Sequence, residues 1–395
     1  MLTKRELFFR HMGLPSKIRW LWKSIMLREF IYMMIRARNI LILFLVFPVS
    51  NAGHRHPRVI NAIKSQLDKY MHVMVYGEYV QSPQVALAEL LVGNLPENLD
   101  AVYYVNSGSE ANEGAMKLAK RYTARTEIIS FKNAYHGGTH GALSVLGNEP
   151  LKNSFRPLLP DVNFIEFNNF EELERITKRT ACVIVESIQA EAGIIIPEKN
   201  YLVELKNRCS ETGSLLILDD IQMGFGRTGK LFSFENFGFV PDILTIAKGF
   251  GGGMPLGAFI SSKEIMNQLT YEPELGHITT FGGHPVSCAA ALANLEVILD
   301  ENLKDNANVA GKLFRDALIG HPKISHIRQI GLMLGLDLES NEKAIELVEK
   351  FKINGLITDR FLFRPNSFRI APPLIITQPE VKKSIELVLK SLDQI

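Results

Sequence analysis

LLILDDIQMGFGRTG, residues 215–229, runs four apolar residues into the carboxylates Asp219 and Asp220, then breaks into a glycine-punctuated turn carrying Gln222. A short apolar run bounded in this way predicts a strand buried on both faces of a sheet. A carboxylate at the end of such a strand is costly to desolvate unless something cationic meets it. Capping the following turn is the other use for a strand-end aspartate, and Asp220 suits that role.

The same grammar recurs on either side. DILTIAKGFGGGMPLGA, residues 242–258, delivers Lys248 from an apolar strand into a glycine-rich loop. A lysine partly desolvated there has its pKa lowered toward the neutral amine that forms imines. Lysine is otherwise a solvated surface residue, so Lys248 alone would be weak support. VNSGSEANEGAMKLA, residues 105–119, ends a strand in Asn106-Ser107-Gly108-Ser109 and opens a helix. Ser107 and Glu110 have the S-x-x-E spacing of a capping box, and Gly108 leaves the first amides open to close approach. Such a helix start binds phosphate through its N–H groups and dipole. An ordinary capped helix has the same pattern. The coincidence carries the weight: a phosphate-type helix start, a strand-end Asp and a strand-end Lys follow one another on one predicted sheet. A protonated pyridine nitrogen is a cation that would satisfy Asp219 and keep its ring an electron sink.

Further apolar runs, AVYYVNSG, TEIISF, VNFIEF, ACVIVES and GAFISS, alternate with helical patterns such as EANEGAMKLAKRYT and YLVELKNRCSETG. This predicts an α/β protein, a mainly parallel sheet covered by helices, with ligands at the carboxyl ends of its strands. After about Pro285 the pattern changes to a long helix, PVSCAAALANLEVILDENL, then HIRQIGLMLGLDLE, KAIELVEKFKIN, SFRIAPPLII and a last helix from Gln378, as in a smaller α+β domain. The expected division is residues 1–55 as the N-terminal part of the small domain, 56–285 as the large domain and 286–395 as the rest of the small one.

At 395 residues, 46% hydrophobic and 22% charged, with a formal net charge of +2, the chain reads as globular and shows no basic stripe that would point to nucleic acid. Cys182, Cys209 and Cys288 are odd in number and widely spaced, which suits a reducing, cytoplasmic setting. None has a second Cys or His at metal-ligand spacing.

Residues 17–48 differ in character: both tryptophans, six basic residues against Glu29 alone, and the apolar run ILILFLVF. That run is about half of the roughly 20 residues a spanning helix needs, and Arg36 and Arg38 interrupt the longer stretch, so no membrane anchor is expected. The genetic code supplies another reading. Trp and Met have single codons, so Trp22-Lys23 contains a Glu codon in a shifted frame, and Met33-Met34-Ile35 contains Asp-Asp. Continued with permitted codons, that frame gives an amphipathic strand, an Asp-Asp-Lys-Ser turn and another strand, rejoining the given frame near Pro48. Two compensating frame shifts would account for the segment, though codon degeneracy leaves the exact string open. Without its surplus of basic residues the net charge falls to about −3.

From about Asn51 onward the motifs together resemble the class III (subgroup II) pyridoxal-phosphate aminotransferases of fold type I, the group of acetylornithine, ornithine and 4-aminobutyrate transaminases. The resemblance implies pyridoxal 5'-phosphate as cofactor, held as a Schiff base on Lys248, which also carries the proton at the substrate carbon. It implies that Ser107, Gly108 and Ser109 bind the phosphate, that Tyr135 of NAYHGGTHGAL stacks on the ring with His136 beside it, that Asp219 pairs with the ring nitrogen and that Gln222 lies near the ring hydroxyl. Thr280, in HITTFGGHP, is expected to reach the phosphate of a neighbouring subunit, so a homodimer with shared active sites follows. Read by themselves, Tyr135 and His136 suit a core aromatic and a satisfied histidine equally well, and Thr280 with Gly282-Gly283 suits a turn.

Two further elements resemble the family's substrate-binding parts. Glu186 and Glu191 occur in VESIQAEAGI, and Arg369 in FRIAPPL matches an arginine that grips a substrate carboxylate or pairs with the glutamate. A surface ion pair is the plain alternative for Arg369. The chain departs from the pattern at Gly138, where many ornithine-type members have Arg, and more mildly at Ser187, Asp220 and His284. The implied activity is transfer of an amino group from an ω-amino acid to a 2-oxo acid, 2-oxoglutarate in the leading reading. An aminomutase, or a cofactor-binding protein impaired by its altered N-terminus, are the alternatives.

Overall fold

The computed structural model describes residues 49–395 except Tyr76 and Glu78, together with Met12 and the backbone of three strands between Ser24 and Ile42. Those strands are β1 (Ser24–Arg28), β2 (Ile31–Met34) and β3 (Asn39–Ile42), paired antiparallel in that order. The rest of the segment 17–48, on which the shifted reading falls, lies outside the described residues.

The chain continues through α1 (Pro57–Leu67), α2 (Ser82–Val92), β4 (Ala101–Val105), α3 (Gly108–Thr123), β5 (Glu127–Phe131), β6 (Val162–Ile165), β7 (Thr180–Glu186), α4 (Tyr201–Thr212), β8 (Leu215–Asp219), β9 (Ile243–Ile246) and β10 (Gly257–Ser261). All seven strands of this stretch coincide with the apolar runs of the sequence. They form one sheet in the order β4-β10-β9-β8-β7-β5-β6, in which β10 runs against both its neighbours and the rest are parallel. Every residue of β7, β8, β9 and β10 is buried, which is why these strands read as continuous apolar runs rather than alternating ones. Each fully buried Leu, Ile or Val side chain there stabilises the fold by about 1.5–3 kcal/mol. A charge at Ile217, which has 0% exposure, would break the sheet's centre.

α3 forms where the sequence supplies good helix formers and a cap. The Ser107 hydroxyl accepts the Glu110 N–H at 3.2 Å, and the helix ends at Ala124 in the left-handed region, φ 54°. The reciprocal half of the capping box is shifted by one residue: the Glu110 carboxylate accepts from the backbone N–H of Asn106 at 2.7 Å and from its side chain at 2.9 Å. Gly114 sets the distance between helix and sheet, because a Cβ there would meet the Phe259 ring at 2.3 Å.

The remainder is α5 (Pro285–Asp300), α6 (Leu303–Leu318), β11 (His326–Ile330), β12 (Met333–Asp337), α7 (Asn341–Asn354), β13 (Leu356–Ile357), β14 (Ser367–Ile370) and α8 (Gln378–Leu392). β11, β12 and β14 make an antiparallel sheet, and β13 pairs in parallel with β3. α6 and β13 are additions to the sequence reading. The apolar core crosses the expected boundary near residue 285, since Leu216 and Leu218 belong to the same buried cluster as Leu334, Leu336 and Phe368. Arg227, from the turn after β8, reinforces that junction: it donates to Leu332 O at 3.1 Å, Pro372 O at 2.6 Å and Asn51 Oδ1 at 2.9 Å. Burial lowers its pKa to about 9. The three cysteines are buried and unpaired.

Candidate active site

β4 and β9 both run against β10, so β4, β5, β7, β8 and β9 all point the same way. Their carboxyl ends therefore share one edge, and a cavity of about 490 Å³ opens there. Ser107, Gly108 and Ser109 line it from β4 and α3, Tyr135 and His136 from the loop after β5, and Glu186, Asp219, Gln222 and Lys248 from the ends of β7, β8 and β9. Thus the residues that the sequence scattered over 142 positions, Ser107 to Lys248, meet at one cavity.

Asp219 is held on three sides. Its Oδ2 accepts from Asn112 Nδ2 at 2.8 Å and lies 2.8 Å from His136 Nδ1, and its Oδ1 accepts the Ile221 N–H at 3.1 Å. Asn112 also donates to His136 O at 2.8 Å and accepts from Thr245 Oγ1 at 2.7 Å. This lattice fixes the carboxylate at the strand end with one side toward the cavity. Asn112 and Thr245 escaped the sequence reading. The available signals were an amide on the face of α3 that otherwise carries Ala111, Ala115 and Ala119, and a hydroxyl inside the apolar run ILTIA. His136 is neither simply a core histidine nor remote: it supports Asp219, and its Nε2 is buried with no hydrogen-bond partner among the described residues.

Lys248 sits one residue beyond Ala247 in the left-handed region, φ 47°, a conformation that costs a non-glycine residue about 1–2 kcal/mol. Burial lowers its pKa, and the carboxylates Asp219, Glu191 and Glu186 oppose the shift. Glu186 accepts the N–H groups of Tyr135 at 3.2 Å and Ala190 at 3.3 Å. Burial, then the neighbouring charge of Asp219, pushes its pKa well above the ordinary carboxylate range. Tyr135, half-buried, is likewise shifted upward, first by burial and then by Glu191 and Asp219.

Gly108 has a different structural reason from the one the sequence suggested. A Cβ at Gly108 would meet Ile221 Cδ1 at 2.8 Å, so the glycine makes room for the residue two places after Asp219. Gly137 serves similarly: at φ 131° it brings the YHG turn onto Ser109, whose Oγ accepts the Gly138 N–H at 3.2 Å. Asp220 faces away from the cavity, and its Oδ2 accepts the Ser233 N–H at 3.0 Å. It braces the turn at residues 233–236 rather than the one that follows it directly. Burial raises its pKa to about 7.

Glu191 and Arg369 form a buried bidentate pair with both N···O distances 2.8 Å, and Arg369 also stacks 4.3 Å over the Phe361 ring. The surface alternative for Arg369 is thereby excluded, as it is 1% exposed. Burial pushes the Glu191 carboxyl up, but the charge and hydrogen bonds of Arg369 outweigh it and the pKa falls below its ordinary value. Gln222 joins this pair to the cavity through a long contact, Nε2 to Glu191 Oε1 at 3.4 Å, while its own Oε1 is buried without a partner. Thr280 is exposed and outside the cavity lining; its neighbour Thr279 accepts from Asn106 Nδ2 at 2.9 Å.

A helix start facing a cavity, a braced strand-end carboxylate and a desolvated strand-end lysine define a pyridoxal-phosphate-dependent enzyme of the α/β kind. The class III aminotransferase family profile matches residues 39–392, and the chain belongs to that family. It is 38% identical over 361 residues to the acetylornithine aminotransferase of Methanocaldococcus jannaschii, covering 88% of this chain and 86% of that one. To the acetylornithine aminotransferase of Archaeoglobus fulgidus it is 38% identical over 339 residues, covering 85% and 86%. Among solved structures, the ornithine aminotransferase of Toxoplasma gondii superposes with a TM-score of 0.92 at 27% identity, covering 100% of this chain and 96% of that one. An aminotransferase of Bacillus anthracis gives 0.93 at 26% identity, with both chains covered fully. The activity is pyridoxal-phosphate-dependent transamination.

Proposed function

We propose that the cavity at the strand ends holds pyridoxal 5'-phosphate and that the enzyme moves an amino group from an ω-amino acid of the acetylornithine, ornithine or 4-aminobutyrate kind to a 2-oxo acid, 2-oxoglutarate first among them. The observation that carries this is the meeting of Asp219, Lys248 and the Ser107–Ser109 helix start in one cavity. The residues fit the cofactor: two buried polar atoms of cavity-lining residues, His136 Nε2 and Gln222 Oε1, lack hydrogen-bond partners among the described residues.

When bound, the cofactor supplies an electron sink for the bond broken at the amino-bearing carbon. Ser107, Gly108 and Ser109 would hold its phosphate through amides at the start of α3, where the helix dipole favours an anion. Tyr135 would cover the ring face, and Asp219 would pair with the ring nitrogen, held in orientation by Asn112 and His136. Gln222 would lie near the ring hydroxyl, its Oε1 placed to accept from it. Lys248 would take the proton from the substrate carbon and return it from Nζ, a role that its lowered pKa favours. Arg369 would meet the substrate carboxylate, and Glu191 would neutralise Arg369 when no carboxylate is there.

Thr280 would serve the partner subunit's phosphate in a homodimer, which accounts for its exposure; Tyr79, Val80, Ile278 and Phe281 are exposed apolar residues suited to such a contact. The buried free cysteines suit the cytoplasm. Among the described residues no helix is long and apolar enough to cross a membrane.

The test is a panel of amino donors with 2-oxoglutarate, run beside Lys248→Ala. Glutamate should form with at least one ω-amino donor, and the variant should lose both turnover and the absorbance band of the lysine-bound cofactor. A variant that keeps that band sinks the assignment of Lys248, and a protein inert to every donor sinks the substrate class.

A further inference from the structure

A second cavity, of about 470 Å³, lies between the C-terminal half of α3 and the segment 269–277. Lys117, Lys120, Arg121 and Arg125 line it, with Pro273 and His277, and no carboxylate does. Basic residues in the last turn of a helix complement its dipole, and Lys120 and Arg121 fit that description. Lys117 lies before that turn and Arg125 beyond the helix, so the dipole does not account for the set. Arg125 has a structural duty, donating to the carbonyls of Thr180, Thr212 and Gly213 at 3.0–3.1 Å. Among the described residues none of the four cations has an ion-pair partner.

The donors of this cavity exceed its acceptors. Lys117 Nζ lies 2.9 Å from His277 Nδ1 and donates to Gly276 O at 3.3 Å. Burial, reinforced by the Lys117 charge, lowers the His277 pKa to about 4, so the ring is neutral and Nδ1 accepts from Lys117. Its proton then resides on Nε2, which is buried and, among the described residues, without a hydrogen-bond partner, as is Arg121 Nε. The two acids whose charges act on His277 are committed elsewhere, Glu110 to Asn106, and Glu113 to Thr139, Gly141 and Ala142; Glu272 and Glu274 flank Pro273 but do not line the cavity. Four clustered cations repel one another, and a bound anion removes that cost.

We propose that this cavity binds a multiply charged oxyanion, a small phosphorylated molecule, at a site separate from that of transamination. The volume exceeds what orthophosphate needs, and Leu269 and Pro273 offer apolar contact to an organic body. With a net charge of only +2 over the chain, the basicity is local and suits a small ligand rather than a nucleic acid. The site also touches the segment that leads to the active site. His277 precedes Thr279, which holds Asn106 beside the Ser107–Ser109 helix start, so a ligand gripping Lys117 and His277 bears on the mouth of the cofactor cavity.

Calorimetric titration of the cofactor-loaded enzyme with pyrophosphate, and separately with citrate, at constant ionic strength tests this. Expected are one pyrophosphate per chain, an unchanged cofactor absorbance, and an affinity lower by about tenfold or more in Lys117→Glu with Arg121→Glu. Thermal melting verifies that the double variant folds; should it not, Lys120→Gln replaces it, with a smaller loss of the same sign expected. Absence of saturable heat at millimolar pyrophosphate, affinity indifferent to these substitutions, or binding that displaces the cofactor would each overturn the site. Equal affinity for citrate would overturn its assignment to phosphoryl groups.

Discussion

Arg369, on β14, reaches Glu191, in the loop after β7, through two parallel hydrogen bonds of 2.8 Å, so a cation and an anion 178 residues apart in sequence neutralise each other out of reach of water. Such a pair adds little net stability over apolar residues, but each member alone would be a buried, uncompensated charge.

Arg369→Ala is therefore expected to destabilise the fold by about 3–5 kcal/mol, and the double variant Arg369→Ala with Glu191→Ala by less than the sum of the single changes. Denaturant unfolding of the four proteins measures the coupling. Because the folded pKa of Glu191 is lowered, its contribution is present above the unfolded value and is lost as pH falls through the folded one. The coupling should accordingly fade on acidification. A coupling near zero at neutral pH would mean that the two charges are satisfied independently.

Asn112 donates to the same oxygen of Asp219 that faces His136. Asn112→Asp replaces that donor by a second carboxylate, which raises the pKa of one of the two acids. Cofactor affinity should fall by about tenfold or more, as followed by absorbance titration. Unchanged affinity across pH would show that Asp219 does not depend on this neighbour.

Gly138 has open space where a Cβ would stand, at the position where many ornithine-type members of the family have arginine. Gly138→Arg should be tolerated and should lower KM for a donor with a suitably placed carboxylate by about tenfold, with kcat little changed. Steady-state kinetics with acetylornithine and with an uncarboxylated amine separates this from a general effect on the fold.

Asp220 is buried with a pKa raised from 3.8 to about 7. The folded state therefore binds its proton more tightly than the unfolded state does. The contribution of Asp220 to stability is full below the unfolded pKa and is lost as pH rises through about 7. Asp220→Asn keeps an acceptor for the Ser233 N–H and removes that loss, so the melting temperature of the variant relative to the parent should climb by a few degrees between about pH 5 and pH 8. A difference that stays flat with pH would place the charge of Asp220 in contact with water.

The shifted reading of residues 17–48 makes its own forecast. Direct sequencing of the gene should reveal two compensating frame changes that convert Met33-Met34 to Asp-Asp, and the corrected protein should exceed the given one in turnover with the same donor. An unambiguous in-frame gene would remove the idea.

The linear chain by itself determined the sheet. Continuous burial of β7 to β10 on both faces demands runs of Leu, Ile, Val and Ala, a demand that is local and visible, and the three flanking runs became strands beside them. The order of the motifs likewise placed Ser107–Ser109, Asp219 and Lys248 at strand ends. What only the tertiary structure decided is who stands beside whom. The bond from Asn112 to Asp219 spans 107 residues, Gly108 owes its missing side chain to Ile221, and Arg369 is sealed against Glu191 rather than exposed. None of these has a local period or a turn signature. They arise because burying a polar group forces it to find a partner wherever packing brings one, and that choice is made by the folded chain as a whole.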